Sequence, residues 1–267
     1  MLEQRWLGIG PDGRRLSYLD FAGDGPVVLA LHGSFGRGAI FARLAADLRG
    51  RARIVAPDQR GHGHSDHCGG FSRDEFVSDA AAFARGLGLG PVVVLGHSLG
   101  GITAYQLAAR HPGLVRALII EDVGPVMRRP QIGRPVLDVR GWPGQAATRQ
   151  ELEGLIADRG VPDAGYFMHS AVCDGGRWRL LFDWDQMMEV QEGGLGDWWS
   201  DWLGSRCPAL VLRGGHSTLL PSGLARQMVA RRPGTQLDEF PDAGHWIHDD
   251  DPDGFARAVS RFLSDVA

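Results

Sequence analysis

No stretch of this chain approaches the ~18 consecutive apolar residues of a membrane-spanning helix, so no segment is expected to cross a bilayer. Cysteine is scarce: Cys68, Cys173 and Cys207 lie far apart, odd in number and without a CxxC pair. A disulfide framework or structural zinc site is therefore not expected. Charge of one sign is not concentrated anywhere, and the formal net charge is −4 with acids and bases interspersed. That distribution gives neither a basic footprint for nucleic acid nor a polybasic segment for a membrane surface. The opening MLEQRWLGIG has no basic region followed by a long apolar run, so the expected location is cytoplasmic. Internal repeats and low-complexity tracts are also lacking.

What is present suffices for a large core. The chain has 267 residues, 43% of them hydrophobic and 22% charged, within the range of one α/β domain carrying an insertion. Short apolar, β-rich runs occur at 27–31, 53–56, 91–95, 115–120, 208–213 and 236–240, with a further strand at 16–21. Runs of this kind are strands buried on both faces. Helical spacing lies between them at 40–48, 71–87 and 99–110, and a last helix starts at Asp251-Pro252, a capping residue followed by proline. Strand and helix in alternation predict an α/β fold, a mostly parallel twisted sheet flanked by helices. The rhythm breaks between 124 and 205, where Trp142, Trp178, Trp184, Trp198, Trp199 and Trp202 cluster. This segment is expected to be an inserted helical cap on a core formed by 1–123 and 206–267. Its tryptophans either fill that cap or line a pocket beneath it.

The chemistry begins at Gly96-His97-Ser98-Leu99-Gly100-Gly101, between the 91–95 strand and a helix. A nucleophile raised on a sharp strand-to-helix turn needs glycines around it, because the backbone there is strained and crowded. The turn exposes the Ser98 hydroxyl and aims the helix N-terminus, with the Leu99 N–H, at a carbonyl oxygen becoming negative. With Leu31-His32-Gly33-Ser34, the stretch from Asp58 to Asp66 (DQRGHGHSD) and Asp242-Ala243-Gly244-His245, this elbow resembles the α/β-hydrolase family over nearly the whole chain. The resemblance implies a second oxyanion donor from Ser34 or Phe35, His245 as general base, and a structural role for 58–66. His248 is the rival base, lacking the preceding glycine. His62, His64 and His67 look superficially like a metal cluster but fit the family's ordinary loop, so no metal and no cofactor is expected.

The chain departs from the family at the acid. Many members carry the triad carboxylate in the loop after the strand at 208–213, and that position here looks like Thr218. A threonine cannot carry the charge that orients histidine and stabilises imidazolium. Asp122, at the end of the 115–120 strand, is the best substitute, as some family members use that strand end; the alternatives are a site without an acid or another residue in its place. Strand alternation predicts that Glu121 and Asp122 face opposite ways, so that only one serves. The expected function is hydrolysis of an ester, lactone or thioester of a small molecule through a Ser98 acyl-enzyme. Carbon–carbon bond hydrolysis, cofactor-free chemistry on the same fold, or ligand binding with little turnover are the alternatives. Serine at the elbow speaks against dehalogenase or epoxide-hydrolase chemistry, which uses aspartate there.

Overall fold

The computed structural model describes residues 3–10, 13–67, 69–161 and 163–266; Cys68 lies outside them. The first six strands are β1 (Gln4–Ile9), β2 (Arg14–Asp20), β3 (Val27–Leu31), β4 (Arg53–Pro57), β5 (Val92–His97) and β6 (Val115–Glu121). Five short strands follow: β7 (Val126–Met127), β8 (Gln145–Ala146), β9 (Ala171–Asp174), β10 (Arg177–Leu180) and β11 (Gly196–Asp197). The long strands resume with β12 (Ala209–Gly214) and β13 (Thr235–Phe240). The main sheet has eight strands in the order β1-β2-β4-β3-β5-β6-β12-β13. The six from β4 to β13 run parallel, and β1 and β2 are antiparallel at one edge. Every residue of β5 is buried, as are all but one of β6, which is why their sequences read as continuous apolar runs. β1 lacks that signature because five of its six residues point at least partly to solvent, and the sequence gives no warning of it.

The helices are α1 (Ala42–Asp47), α2 (Arg73–Gly86), α3 (Leu99–Arg110), α4 (Arg149–Ala157), α5 (Gly165–Met168), α6 (Trp184–Gly193), α7 (Trp199–Leu203), α8 (Ser222–Arg231), α9 (Ile247–Asp250) and α10 (Pro252–Asp265). Two apolar cores separate along the sheet faces. One joins Val93, Leu95 and Ile119 to Phe41, Phe255 and Phe262. The other joins Val94, Leu118 and Ile120 to Phe83, Tyr105 and Leu107. Alternate residues of β5 and β6 thus go to opposite cores. Ser72 caps α2 through a reciprocal capping box with Glu75, and Asp251 caps α10 by accepting from the Gly254 N–H at 2.9 Å.

The segment 124–205 is not purely helical. Besides α4 to α7 it holds a three-stranded antiparallel sheet in the order β8-β10-β9, and β7 pairs with β11. Its β9–β10 hairpin turns on Gly175 and Gly176, both at positive φ (57° and 78°), the two-residue primed turn that only glycine-like residues form easily. A Gly-Gly pair between AVCD and RWRL was the available signal. The segment lies over the loops at the carboxyl ends of the parallel strands. The Ser170 hydroxyl donates to the Phe35 carbonyl at 2.7 Å, the Arg37 Nε–H to the His169 carbonyl at 2.7 Å, and the Tyr166 ring packs on Trp246. Ligands bind at that end of open α/β sheets. Among the described residues no helix is long and apolar enough to cross a membrane.

Candidate active site

Ser98 follows β5 and precedes α3 with φ 51° and ψ −117°, a conformation that L-residues rarely adopt. Holding it costs about 1–3 kcal/mol, a price met by the surrounding packing. The crowding explains the glycines. A Cβ on Gly96 would stand 2.3 Å from the Gly100 carbonyl oxygen, and one on Gly100 would stand 2.1 Å from that of Leu31. The Ser98 N–H is tied to the Glu121 carbonyl at 3.0 Å, so β6 buttresses the elbow. Leu99 opens α3, where first-turn amides lack acceptors within the helix.

The loop after β3 is held in place by a neutral histidine. His32 Nδ1–H donates to the Gly33 carbonyl at 2.7 Å, and its Nε2 accepts the Gln59 N–H at 2.8 Å. Burial pushes the His32 pKa from 6.5 down to about 4, which keeps the ring neutral, and the two hydrogen bonds set its tautomer. Phe35 itself has φ 69°, so the chain turns sharply beside the elbow, with Ser34 half-buried and Phe35 buried. Asp58 steadies the same loop by accepting from the Gly38 N–H at 2.8 Å, the Ser17 hydroxyl at 2.7 Å and the His64 N–H at 2.9 Å. The 58–66 stretch is thus a hydrogen-bonded brace. Phe35 also meets the cap aromatics: Phe167 at 5.0 Å, Phe182 at 5.7 Å and Trp184 at 6.1 Å between ring centroids, with Trp142 beyond Trp184 at 5.6 Å. Trp202 is core instead, fully buried with its Nε1–H donating to the Met228 carbonyl.

β6 lies between the strand of Ser98 and the strand that ends before Thr218. Just past it, fully buried Asp122 stands 2.8 Å from His245, Oδ2 to Nδ1. Asp122 also accepts the Gly214 N–H at 2.9 Å and the Ser217 hydroxyl. The loop without a carboxylate therefore supplies hydrogen bonds to the carboxylate next door, and Thr218 is exposed at its rim. Ser217 had no sequence signal, since its use depends on where Asp122 sits.

Alternation fails at this strand end. Asp122 has φ 50°, its N–H bonds the Leu212 carbonyl at 2.8 Å, and the chain swings so that both acids reach the same loop. Glu121 accepts from His248 Nδ1 at 2.7 Å and from the His248 N–H at 3.0 Å. His97, beside Glu121 in the β5–β6 register, donates Nε2–H to the His245 carbonyl at 3.0 Å. Among the described residues, His97, Glu121 and His248 are the histidine–acid group whose candidate ligand atoms come within 4.8 Å of one another. Tetrahedral zinc ligands sit about 3.4 Å apart at the usual ~2.05 Å bonds, and Glu121 already holds the His248 proton, so the trio reads as an ion pair rather than a metal cage. His62, by contrast, packs its ring on His32 at 4.9 Å. A surface groove of about 600 Å³ between β13 and α10 contains none of Ser98, Asp122 and His245.

With this geometry in hand, comparison with known proteins decides the family. Residues 27–258 match the model of the alpha/beta hydrolase family. The chain belongs to that family. It is 31% identical over 277 residues to the sn-1-specific diacylglycerol lipase ABHD11 of Mus musculus, covering 93% of this chain and 85% of the lipase. It is 27% identical over 252 residues to the 2-(acetamidomethylene)succinate hydrolase of Mesorhizobium japonicum, covering 90% and 89%. A crystal structure of E-2-(acetamidomethylene)succinate hydrolase superimposes with a TM-score of 0.87 at 25% identity, over 99% of this chain and 100% of that one. This α/β-hydrolase is accordingly an enzyme of the hydrolase class.

Proposed function

We propose that this α/β-hydrolase cleaves an ester, lactone or thioester of a small molecule through an acyl-enzyme on Ser98. The observation that carries the reading is the 2.8 Å contact between Asp122 and His245, because it supplies the acid whose usual position is empty of charge. His245 takes the Ser98 proton as the hydroxyl oxygen bonds the carbonyl carbon, and the carbonyl electron pair moves onto oxygen. The N–H groups of Leu99 and of the Ser34–Phe35 turn stabilise that oxyanion. His245 then gives the proton to the departing alcohol or thiol, and water, deprotonated by the same histidine, releases the acid and restores Ser98. Asp122 stays ionised throughout and keeps Nδ1–H pointed at itself. The sequence contains no lysine, so an amine nucleophile does not compete.

Segment 124–205 acts as the cap in this reading, and its aromatic cluster around Phe35 favours an apolar group on the substrate. The lipase among its relatives acts on esters, which agrees with the assignment. Cytoplasmic residence accompanies a small-molecule substrate and needs no membrane or nucleic-acid partner. The test is a panel of aryl esters and lactones of graded acyl length, run with native protein and Ser98→Ala together. The serine variant is expected to lose on the order of 10⁶ in turnover and all labelling by a fluorophosphonate. Retention of more than about a tenth of the native rate rules out the acyl-enzyme.

A further inference from the structure

The proposed mechanism uses one of the two acids at the end of β6 and one of the two histidines in the 245–248 segment. The other acid is as fully buried as Asp122, and the other histidine is more deeply buried than His245. Glu121 is 0% exposed and His248 is 5% exposed, yet neither touches the reacting atoms. A buried carboxylate is expensive unless it is paired, so its retention asks for a physical reason.

The hydrogen bonds supply one. Glu121 Oε1 takes both the backbone N–H and the ring Nδ1–H of His248, gripping the first turn of α9 by main chain and side chain at once. Burial opposes charge on His248, but the Glu121 carboxylate, with Asp249 and Asp250, outweighs it and raises the histidine's pKa, making this a charge-assisted bond. From the other side His97 holds the His245 carbonyl. Burial, with the neighbouring His245 and His248, pushes the His97 pKa well down, so that ring stays neutral. Among the described residues the side chain of His245 makes one hydrogen bond, to Asp122, beside ring contacts with His97 and Trp246. A catalytic base must stay within about 0.5 Å and 10–20° of its working geometry, and one hydrogen bond does not secure that.

We propose that Glu121 is a positioning residue, holding the 245–248 segment through His248 so that the His245 ring faces Ser98. The proposal rests on the reading of Ser98, His245 and Asp122 as the triad. Glu121 acts as a hydrogen-bond acceptor, and its charge matters only in strengthening that grip.

The test compares Glu121→Ala, Glu121→Gln and the double variant Glu121→Leu/His248→Phe in the aryl ester assay, with melting temperatures measured alongside. Glu121→Ala is expected to lower kcat by about 10–100-fold, as misplacement by an ångström does, with KM within about three-fold of native. Glu121→Gln keeps an oxygen that accepts from both His248 donors, and kcat should recover to within about five-fold of native. The double variant replaces both members of a buried pair by apolar groups, a change that commonly leaves stability unharmed. It should therefore recover the melting temperature while kcat stays at least about ten-fold down. Three results overturn the proposal: native kcat in Glu121→Ala, Glu121→Gln as slow as Glu121→Ala, or a double variant that regains kcat together with stability. If Glu121→Ala folds poorly, the double variant decides alone. Ser98→Ala separates the two readings, because turnover surviving there removes the triad, whereas the Glu121 results remove only the tether.

Discussion

At the scale of single residues, the proposed mechanism depends on Asp122 serving as the carboxylate that the loop around Thr218 lacks. Its three hydrogen bonds, from Gly214, Ser217 and His245, fill most of the lone-pair capacity of an ionised carboxylate. Asp122→Asn puts an amide where a full charge is needed, and one of its N–H groups would face a donor. Turnover is expected to fall by roughly 10³–10⁴ with the fold intact, as read by steady-state kinetics beside circular dichroism. Introducing Thr218→Asp in the Asp122→Asn background is the corresponding rescue. Recovery of part of the rate would show that the loop still reaches His245. Full activity in Asp122→Asn alone would leave Ser98 and His245 as a dyad.

At the scale of elements, the strand–turn–helix unit from β5 to α3 is the most constrained piece of the molecule. Gly100→Ala drives a methyl group to 2.1 Å from a main-chain oxygen that belongs to the adjacent strand and has nowhere to go. The expected loss of stability is about 3 kcal/mol or more, at the upper end of overpacking effects, measurable as a lowered urea midpoint. Native stability in this variant would mean that the elbow is looser than the geometry implies. The same unit was legible in the sequence, because glycine spacing, buried strand and helix agree at one place. Ser98, Leu99 and the loop after His32-Gly33 are candidates on that agreement, and Asp122 is a candidate because Thr218 needs a replacement. Other elements gave no comparable signal. β1 is a half-exposed edge strand, and the β9–β10 hairpin was hidden by the expectation that 124–205 is helical. Alternation allows only one of Glu121 and Asp122 to serve, a rule that holds along a strand but not past its end, where Asp122 adopts positive φ.

At the scale of the whole molecule, stability should depend on acid through histidines buried in the neutral form. Burial pushes His32 down to about 4 from 6.5, and drives His62 and His97 well below their ordinary value, with neighbouring histidines adding to the shift for the latter two. Below pH 6.5 the unfolded chain takes up protons that the folded chain refuses. Stability is therefore present in full above that pH and is lost as the pH falls toward 4. His32 alone accounts for about 3 kcal/mol across this window. His248 has the opposite sign, since its raised pKa adds stability below 6.5 that is lost as pH rises through the folded value. Three buried neutral rings outweigh one charged ring, so urea midpoints should drop between pH 7 and pH 4.5. A flat profile across that range would contradict the burial of these rings as neutral species.

The two acids that close β6 are consecutive, and their α-carbons are therefore about 3.8 Å apart by the planarity of one peptide unit. They hold histidines on a single short segment, one near each end of it. A body pinned at one point can still pivot, whereas a body pinned at two points keeps one axis of rotation and loses the others. The His97 contact, coming from a neighbouring strand, removes that remaining axis. The orientation of the base is in this sense set by a rigid covalent ruler in the middle of the sheet.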